Sequence, residues 1–296
     1  MNKYIIGIDA GGTKTIGVLF DIKAKELKRV ESTQANFAVD EINATNVIID
    51  VIQQLFVSGD NIIIIGAAGS AKMKNKHEFE NKIEKIFYAK TYLISDAVLA
   101  MYSIIKNDLN NQYIMALSGT GSAIVTYNGQ VKLLGGYGHI LGDEGSAWNV
   151  SLRATKNIIN RLEYGVLTPL DQILLKKMQV DNGEGIIQFV YNNPKTKLAA
   201  LAKVIAKEAQ NDNFEAKELL KTEGELLAKQ VISVYQKMDK NQSTIIGFRG
   251  SFIQNNVIVQ KAFKSMIEIF IANIQFENTN IDPVFGAYYL GLKYIK

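Results

Sequence analysis

The sequence contains no cysteine, and only three prolines, two histidines and four arginines are spread over its 296 residues. Without cysteine there is no disulfide, no thiolate nucleophile, no Cys-ligated zinc and no cysteine-held iron–sulfur cluster. Arginine is confined to Arg29, Arg153, Arg161 and Arg249, so lysine supplies the rest of the 33 basic residues and of the +4 net charge. Bidentate reading of phosphates and guanine edges relies on the arginine fork, and the lysines are scattered, so nucleic acid is not an expected partner. The longest nearly uncharged apolar stretch, residues 62–71, is well short of the roughly 20 residues a spanning helix needs, and no membrane partner is expected. Met1 to Gly12 show no charged leader, long apolar region and small-residue cleavage site in sequence, which makes the cytoplasm the expected location. Pro169, Pro194 and Pro283 are isolated and no Gly/Ser-rich stretch occurs, so any domain junction is compact.

What is present is an ordinary globular balance, 47% hydrophobic and 21% charged, over a length that suits about two domains. Apolar runs at 3–8 and 15–20 predict two strands around a glycine turn, followed by a helix from Glu41 to Phe56. Strands at 61–66, 91–95 and 112–117 alternate with helical patterns at 78–88 and 97–106, the signature of an α/β fold. The second half is more helical, with expected helices at 146–162, 197–208 and 214–237, a strand at 243–248, and a last helix that Asp282 caps and Pro283 opens. Trp148, Tyr288 and Tyr289 fall at helical positions and are expected in the core.

The sequence also repeats itself. Residues 4–13 read YIIGIDAGGT and residues 113–122 read YIMALSGTGS, so that Tyr4 aligns with Tyr113, Asp9 with Ser118, Gly12 with Gly121 and Thr13 with Ser122 without a gap. Each copy is an apolar strand, a small glycine-rich turn with a hydroxyl, and a second β-prone run, which implies two related halves.

Glycine turns can be plain hairpin connections, or they can present backbone N–H groups to an anion as a nest. The pairing of two such turns favours phosphate, although neither GxxxxGK[ST] nor GxGxxG is present. Asp9, at the end of the first strand, is either a turn residue or a carboxylate that holds magnesium through water. Asp96 follows the strand TYLIS and precedes AVLAMY, so it is either a helix cap or a functional carboxylate. The segment GGYGHILGDEG at 135–145 is too dense in glycine for a plain connection and reads as a shaped ligand loop carrying His139, Asp143 and Glu144. A zinc site on His139 lacks supporting ligand spacing.

Taken in order, DAGGTKT at 9–15, SDAVLA at 95–100, SGTGSA at 118–123, GGYGHILGDEGSA at 135–147, GFRGS at 247–251 and DPVFGAYYLG at 282–291 resemble the N-acetylglucosamine kinase family. That family sits in the BadF/BadG/BcrA/BcrD-type ATPase group of the sugar kinase, actin and heat-shock chaperone superfamily. The resemblance implies two actin-like (ribonuclease H-like) α/β domains with duplicated ββ-hairpin phosphate-binding motifs and an interdomain cleft. The first would span 1–111, completed by a C-terminal helix at 283–296, and the second 112–282 with helical insertions. It further implies an ATP-dependent, magnesium-requiring cytoplasmic kinase of amino-sugar metabolism and cell-wall recycling, acting on the 6-hydroxyl of N-acetylglucosamine. By the same resemblance Gly11, Gly12, Thr13, Gly119, Thr120, Gly121 and Ser122 hold the ATP phosphates, and Gly247, Gly250 and Ser251 form the nucleoside pocket. Asp9 organises magnesium, Asp96 is the general base, and Asn36, Asp96, His139 and Asp143 contact the sugar. Sugar binding is expected to close the domains. The oligomeric state stays open, a homodimer being one option.

Two departures bear on the acceptor. Ala123 stands where the family has asparagine after the GTGS turn, and the segment before Asn36 reads STQAN instead of a glycine-rich loop. N-acetylmuramic acid and glucosamine are therefore alternative acceptors. A radical-enzyme activator with an iron–sulfur cluster is excluded by the absence of cysteine, and a non-catalytic actin-like nucleotide switch is the remaining alternative.

Overall fold

A computed structural model of the chain describes residues 3–272, 274–277 and 281–295; Met1, Asn2, Asn273, residues 278–280 and Lys296, all inside the expected domain ranges, lie outside the described residues. The chain divides into two compact units, Met1–Asn110 with Asn278–Lys296, and Asn111–Glu277.

The first unit opens with an antiparallel meander of β1 (Lys3–Ala10), β2 (Lys14–Asp21) and β3 (Glu26–Thr33). There follow α1 (Glu41–Leu55), β4 (Asp60–Ala67), a single 3-10 turn (Ser70–Lys72), α2 (Lys76–Phe87), β5 (Lys90–Ser95) and α3 (Asp96–Ile105). β4 and β5 add in parallel beside β1, giving the order β3-β2-β1-β4-β5. The unbroken run NIIIIGA of β4 follows from this position, because a central parallel strand is covered on both faces. Ile63 and Ile65 join the core under α1 and α2, and Ile62 and Ile64 join Leu99 of α3 with Ala287 and Tyr288 on the other face.

The second unit begins with a matching meander, β6 (Gln112–Ser118), β7 (Ser122–Tyr127) and β8 (Val131–Gly135). A helical block follows: α4 (Ala147–Tyr164), α5 (Pro169–Met178), α6 (Gly183–Tyr191), α7 (Lys195–Ala199), α8 (Leu201–Gln210) and α9 (Phe214–Tyr235). The chain then forms β9 (Thr244–Arg249), α10 (Ser251–Gln254), α11 (Val257–Phe270) and β10 (Ile274–Phe276), and finally α12 (Phe285–Leu292), which belongs to the first unit. The sheet order β10-β9-β6-β7-β8 is that of the first sheet written from the other edge, with β9 and β10 again parallel to the central strand. The α/β class and the duplication expected from the repeat are thus both present.

The two hairpins are not identical. Asp9 pairs with Ile16 across the first, whereas its counterpart Ser118 pairs with Ser122, so the second hairpin closes sooner although the sequences align without a gap. One helix expectation is also corrected. The helix read at 197–208 is broken into α7 and α8 around Ala200. The regular turns of the last helix begin at Phe285, and Asp282 stands just ahead of them, one carboxylate oxygen accepting the Val284 N–H at 3.2 Å and the other pairing with Arg29 at 2.8 Å. Trp148 and Tyr288 are buried, as their spacing predicts. Among the described residues no helix is long and apolar enough to cross a membrane.

Candidate active site

Residues 11–13 join β1 to β2. The Gly11 N–H donates to Lys14 O at 3.0 Å, and Gly11 O accepts from Ala35 N–H at 3.1 Å, which ties the turn to the segment after β3. Gly12 and Thr13 are exposed, and among the described residues their N–H groups have no protein acceptor. Asp9 lies inside β1, half-buried, so it is not a turn residue.

Beside this turn the ends of β4 and β5 bring two further groups together. Ala67 pairs with Ser95, and the next residue, Ala68, forms an isolated parallel bridge with Asn36. Asn36 Oδ1 accepts the Ala38 N–H at 2.9 Å, and its Nδ2 lies 3.8 Å from where a Cβ on Gly12 would sit. Asp96 is the first residue of α3, but the cap is Ser95, whose hydroxyl accepts the Val98 N–H at 3.2 Å. The helix therefore does not need the Asp96 carboxylate as a cap, which removes the simplest structural reading of this residue. Asp96 is exposed by accessible area, while the protein around its carboxyl desolvates it and raises its pKa against the opposing Ala97 and Asp96 N–H groups. A carboxyl open on one side only shows both properties.

In the second unit, residues 119–121 join β6 to β7. The Gly119 N–H closes the turn on Gly121 O at 3.0 Å, while Thr120 is exposed. The N–H groups of Thr120 and Gly121 have no protein acceptor among the described residues. Ser122 departs from the expectation of a hydroxyl donor to phosphate: its hydroxyl donates to Glu144 O at 2.7 Å and its N–H to Asp143 Oδ1 at 3.0 Å. Ser118 likewise donates to Gly145 O at 2.6 Å. Both serines hold the 143–145 segment against the turn. Asp143 is held in the same way: it is 5% exposed, at a φ of 70°, and its other oxygen lies 3.3 Å from Lys195 Nζ. A Cβ on Gly121 would sit 2.5 Å from that carboxylate. Gly121→Ala is therefore expected to displace Asp143, to cost about 1–3 kcal/mol of stability, and to raise KM for the nucleotide. A thermal melt paired with an ATP titration measures both, and wild-type values in the two would contradict the packing described.

The segment is anchored from below by a residue that sequence reading missed. Glu223 of α9, fully buried, accepts the Gly145 N–H at 2.8 Å, Asn149 Nδ2 at 2.8 and 3.0 Å, and Arg153 Nε at 3.1 Å. Desolvation raises its pKa, and the Asn149, Gly145 and Arg153 contacts pull the other way. An acid among the apolar positions of α9 is its only sequence signal. His139 is exposed and stands edge-on to Trp148 at 4.7 Å.

The nucleoside expectation divides. Gly247 is buried in the middle of β9 opposite Met115, inside the sheet, and lines no turn. Gly250 has a φ of 108°, and a Cβ there would lie 2.3 Å from Ser118 O, so only glycine lets this turn approach the turn that joins β6 to β7. Ser251 opens α10 and lines a cavity of about 530 Å³ together with Thr120, Lys203, Gln210, Phe252 and Asn255. Thr120 and Ser251, expected at opposite ends of a nucleotide, thus share one cavity. Lys203, Lys207 and Gln210 were not singled out, although their i, i+4, i+7 spacing puts them on one face of α8. Ala206→Leu is expected to narrow this cavity and to raise KM for ATP about tenfold without a matching fall in kcat. An unchanged KM in steady-state kinetics would place the nucleoside elsewhere.

Among the described residues no group of three or more histidine, cysteine or acidic side chains is arranged to hold a metal. The family described as BadF/BadG/BcrA/BcrD ATPase matches residues 6–291. The chain is 26% identical to a protein of Clostridium acetobutylicum named N-acetylmuramic acid/N-acetylglucosamine kinase, covering 96% of this chain and 97% of the other. It is 28% identical to one of Dictyostelium discoideum named N-acetyl-D-glucosamine kinase, covering 99% of each. In fold it is similar to a crystal structure from Chromobacterium violaceum described as a candidate N-acetylglucosamine kinase, with a TM-score of 0.72 at 18% identity over 97% of this chain and 98% of that one.

Proposed function

The chain belongs to the BadF/BadG/BcrA/BcrD ATPase family, and from that premise we propose that it is an ATP-dependent amino-sugar kinase that phosphorylates the 6-hydroxyl of N-acetylglucosamine. The observation that carries this reading is the accessible carboxylate of Asp96, relieved of capping by Ser95, at the strand ends that also present Asn36. The names of the two sequence relatives support the same acceptor class.

In this reading Asn36 orients the sugar and Asp96 accepts the proton of the attacking hydroxyl as the oxygen approaches the γ-phosphorus. The desolvation that lifts the Asp96 pKa strengthens it as a base, since a carboxylate with a higher pKa takes a proton more readily. The N–H groups of Gly12, Thr13, Thr120 and Gly121, without a protein acceptor among the described residues, and Gly11 and Gly119 that shape the turns, are suited to phosphate oxygens. Gly250 and Ser251 serve the nucleoside, and His139 flanks the acceptor. Magnesium, when bound, supplies charge neutralisation on the phosphates. Asp9 offers a half-buried carboxylate within β1, and such an oxygen suits an ion that keeps most of its waters and takes its other ligands from phosphate. Little covalent chemistry is asked of the protein, because a loose phosphoryl transition state is served mainly by positioning and charge.

The test is ADP release from ATP with and without sugar. Release that requires N-acetylglucosamine supports the proposal; release indifferent to N-acetylglucosamine, N-acetylmuramic acid, glucosamine and glucose alike would overturn it.

A further inference from the structure

We infer that Asn256 selects the nucleotide by its base: its side-chain oxygen accepts the 6-amino group of adenine and turns away purines that carry a carbonyl at that position. This inference rests on the kinase reading, in which the cavity of about 530 Å³ in the second unit takes the nucleoside. The cavity has a direction. One wall starts at the turn between β6 and β7, where a Cβ on Gly250 would lie 2.3 Å from Ser118 O, and runs through Ser251 and α10 to Asn255 and Asn256. A second wall starts there too. The Ala147 N–H donates to Gly119 O at 2.9 Å, and the Ser151 hydroxyl donates to Ala147 O at 2.7 Å and lies 3.5 Å from Ala199 O. From Ala199 and Ala200 this wall continues along α8, whose rise of about 1.5 Å per residue carries Gln210 about 15 Å further. With phosphates at the turn, Gln210, Asn255 and Asn256 therefore stand at the end where the base lies.

Of these three amides, Asn256 is the one held in place. Asn255 and Gln210 are exposed and their side chains have no protein partner among the described residues, so each can turn and present either its oxygen or its nitrogen. Asn256 is half-buried, and its Nδ2 donates to Phe252 O at 2.8 Å. A backbone carbonyl only accepts, so the nitrogen is the atom that faces it and the position of Oδ1 is determined. Asn256 also occupies the N-cap position of α11, where an asparagine oxygen ordinarily accepts a backbone N–H of the first turn, and here it makes no such bond. The cavity wall thus presents a fixed acceptor that the protein leaves open among the described residues. Adenine offers an amino N–H at ring position 6, whereas hypoxanthine and guanine offer a carbonyl there. The amino group satisfies Oδ1; a carbonyl sets two acceptors against each other and leaves both unpaired.

The experiment titrates the full-length protein by calorimetry with ATP and with inosine triphosphate, which differ at ring position 6 and in the N1 proton that accompanies the change. The wild type is expected to bind ATP about tenfold more tightly, the worth of one hydrogen bond made in place of one refused. Asn256→Ala is expected to bring the two affinities together. Asn256→Asp loses the bond to Phe252 O but keeps an acceptor oxygen, so the preference for ATP survives in it. Equal affinities in the wild type, a preference that persists in the alanine variant, or one lost alike in both variants would overturn the assignment of Asn256. In each of those cases the kinase reading stands, because it is tested separately by sugar-dependent release of ADP. If neither nucleotide binds, the nucleoside cavity is misplaced and the inference falls with it.

Discussion

Replacing Asp96 by Asn is expected to lower kcat by about 10² or more, the usual worth of a general base, while ATP affinity measured by titration calorimetry stays close to wild type. The substitution keeps the side chain's volume and leaves the Ser95 cap of α3 intact, so helix stability is not at issue. The pH dependence gives a second reading of the same residue. Desolvation raises the Asp96 pKa, so the acid limb of kcat/KM lies above the ordinary aspartate value of about 3.9. Activity falls as pH drops through that limb, because the protonated carboxyl accepts no proton, and the Asn variant lacks the limb. A variant that turns over at the wild-type rate would reduce Asp96 to an ordinary first-turn acid.

The second large effect is expected at Glu223. Glu223→Ala removes the common acceptor of the Gly145 N–H, the Asn149 amide and Arg153 Nε from a fully buried position. Arg153 is 40% exposed in its side chain and can turn to water, whereas the Gly145 N–H is buried and cannot. The cost is about 3 kcal/mol from the stranded donors and the space left behind, which lowers Tm by on the order of 6–12 °C for a unit of this size. The sign with pH is definite. A carboxyl whose pKa is raised by folding contributes stability that is present below the ordinary glutamate value and is lost as pH rises through the raised one. The gap between wild type and variant is thus widest on the acid side and narrows toward neutral pH. Melting curves across that range check it, and equal Tm values at all pH would show that the anchor does not hold the 143–145 segment.

Much of this was legible because the apolar runs are strong. The run IIIIG of β4 marked a buried strand, and the repeat of YIIGIDAGGT in YIMALSGTGS implied two related halves, which the two sheets of matching strand order bear out. β3 escaped because ELKRVEST is charged along an exposed edge strand, where no face is apolar enough to show a period. The site was legible as segments and less so as roles. Asp96 and Asn36 are linked through Ala68 and Ser95, a relation that only strand register reveals. Ser122 and Asp143 carry the residue types of ligands, yet the Ser122 hydroxyl donates to Glu144 O and its N–H to Asp143, and no one-dimensional pattern distinguishes a donor aimed at phosphate from one aimed at a neighbouring loop. Gly247 and Gly250 lie three residues apart in one motif, but one lies within a strand and the other in the turn that follows it, a difference the motif does not announce. Glu223 is far from every motif in sequence and became visible only through its hydrogen bonds.

The most direct test of the central claim is the fate of the γ-phosphoryl group, followed by phosphorus–proton correlated NMR of a reaction containing ATP, magnesium and N-acetylglucosamine. The account predicts a new phosphate signal coupled to the two protons on carbon 6 of the sugar, absent with the Asp96→Asn variant over the same time. Appearance of inorganic phosphate alone, with the sugar unmodified, would contradict it.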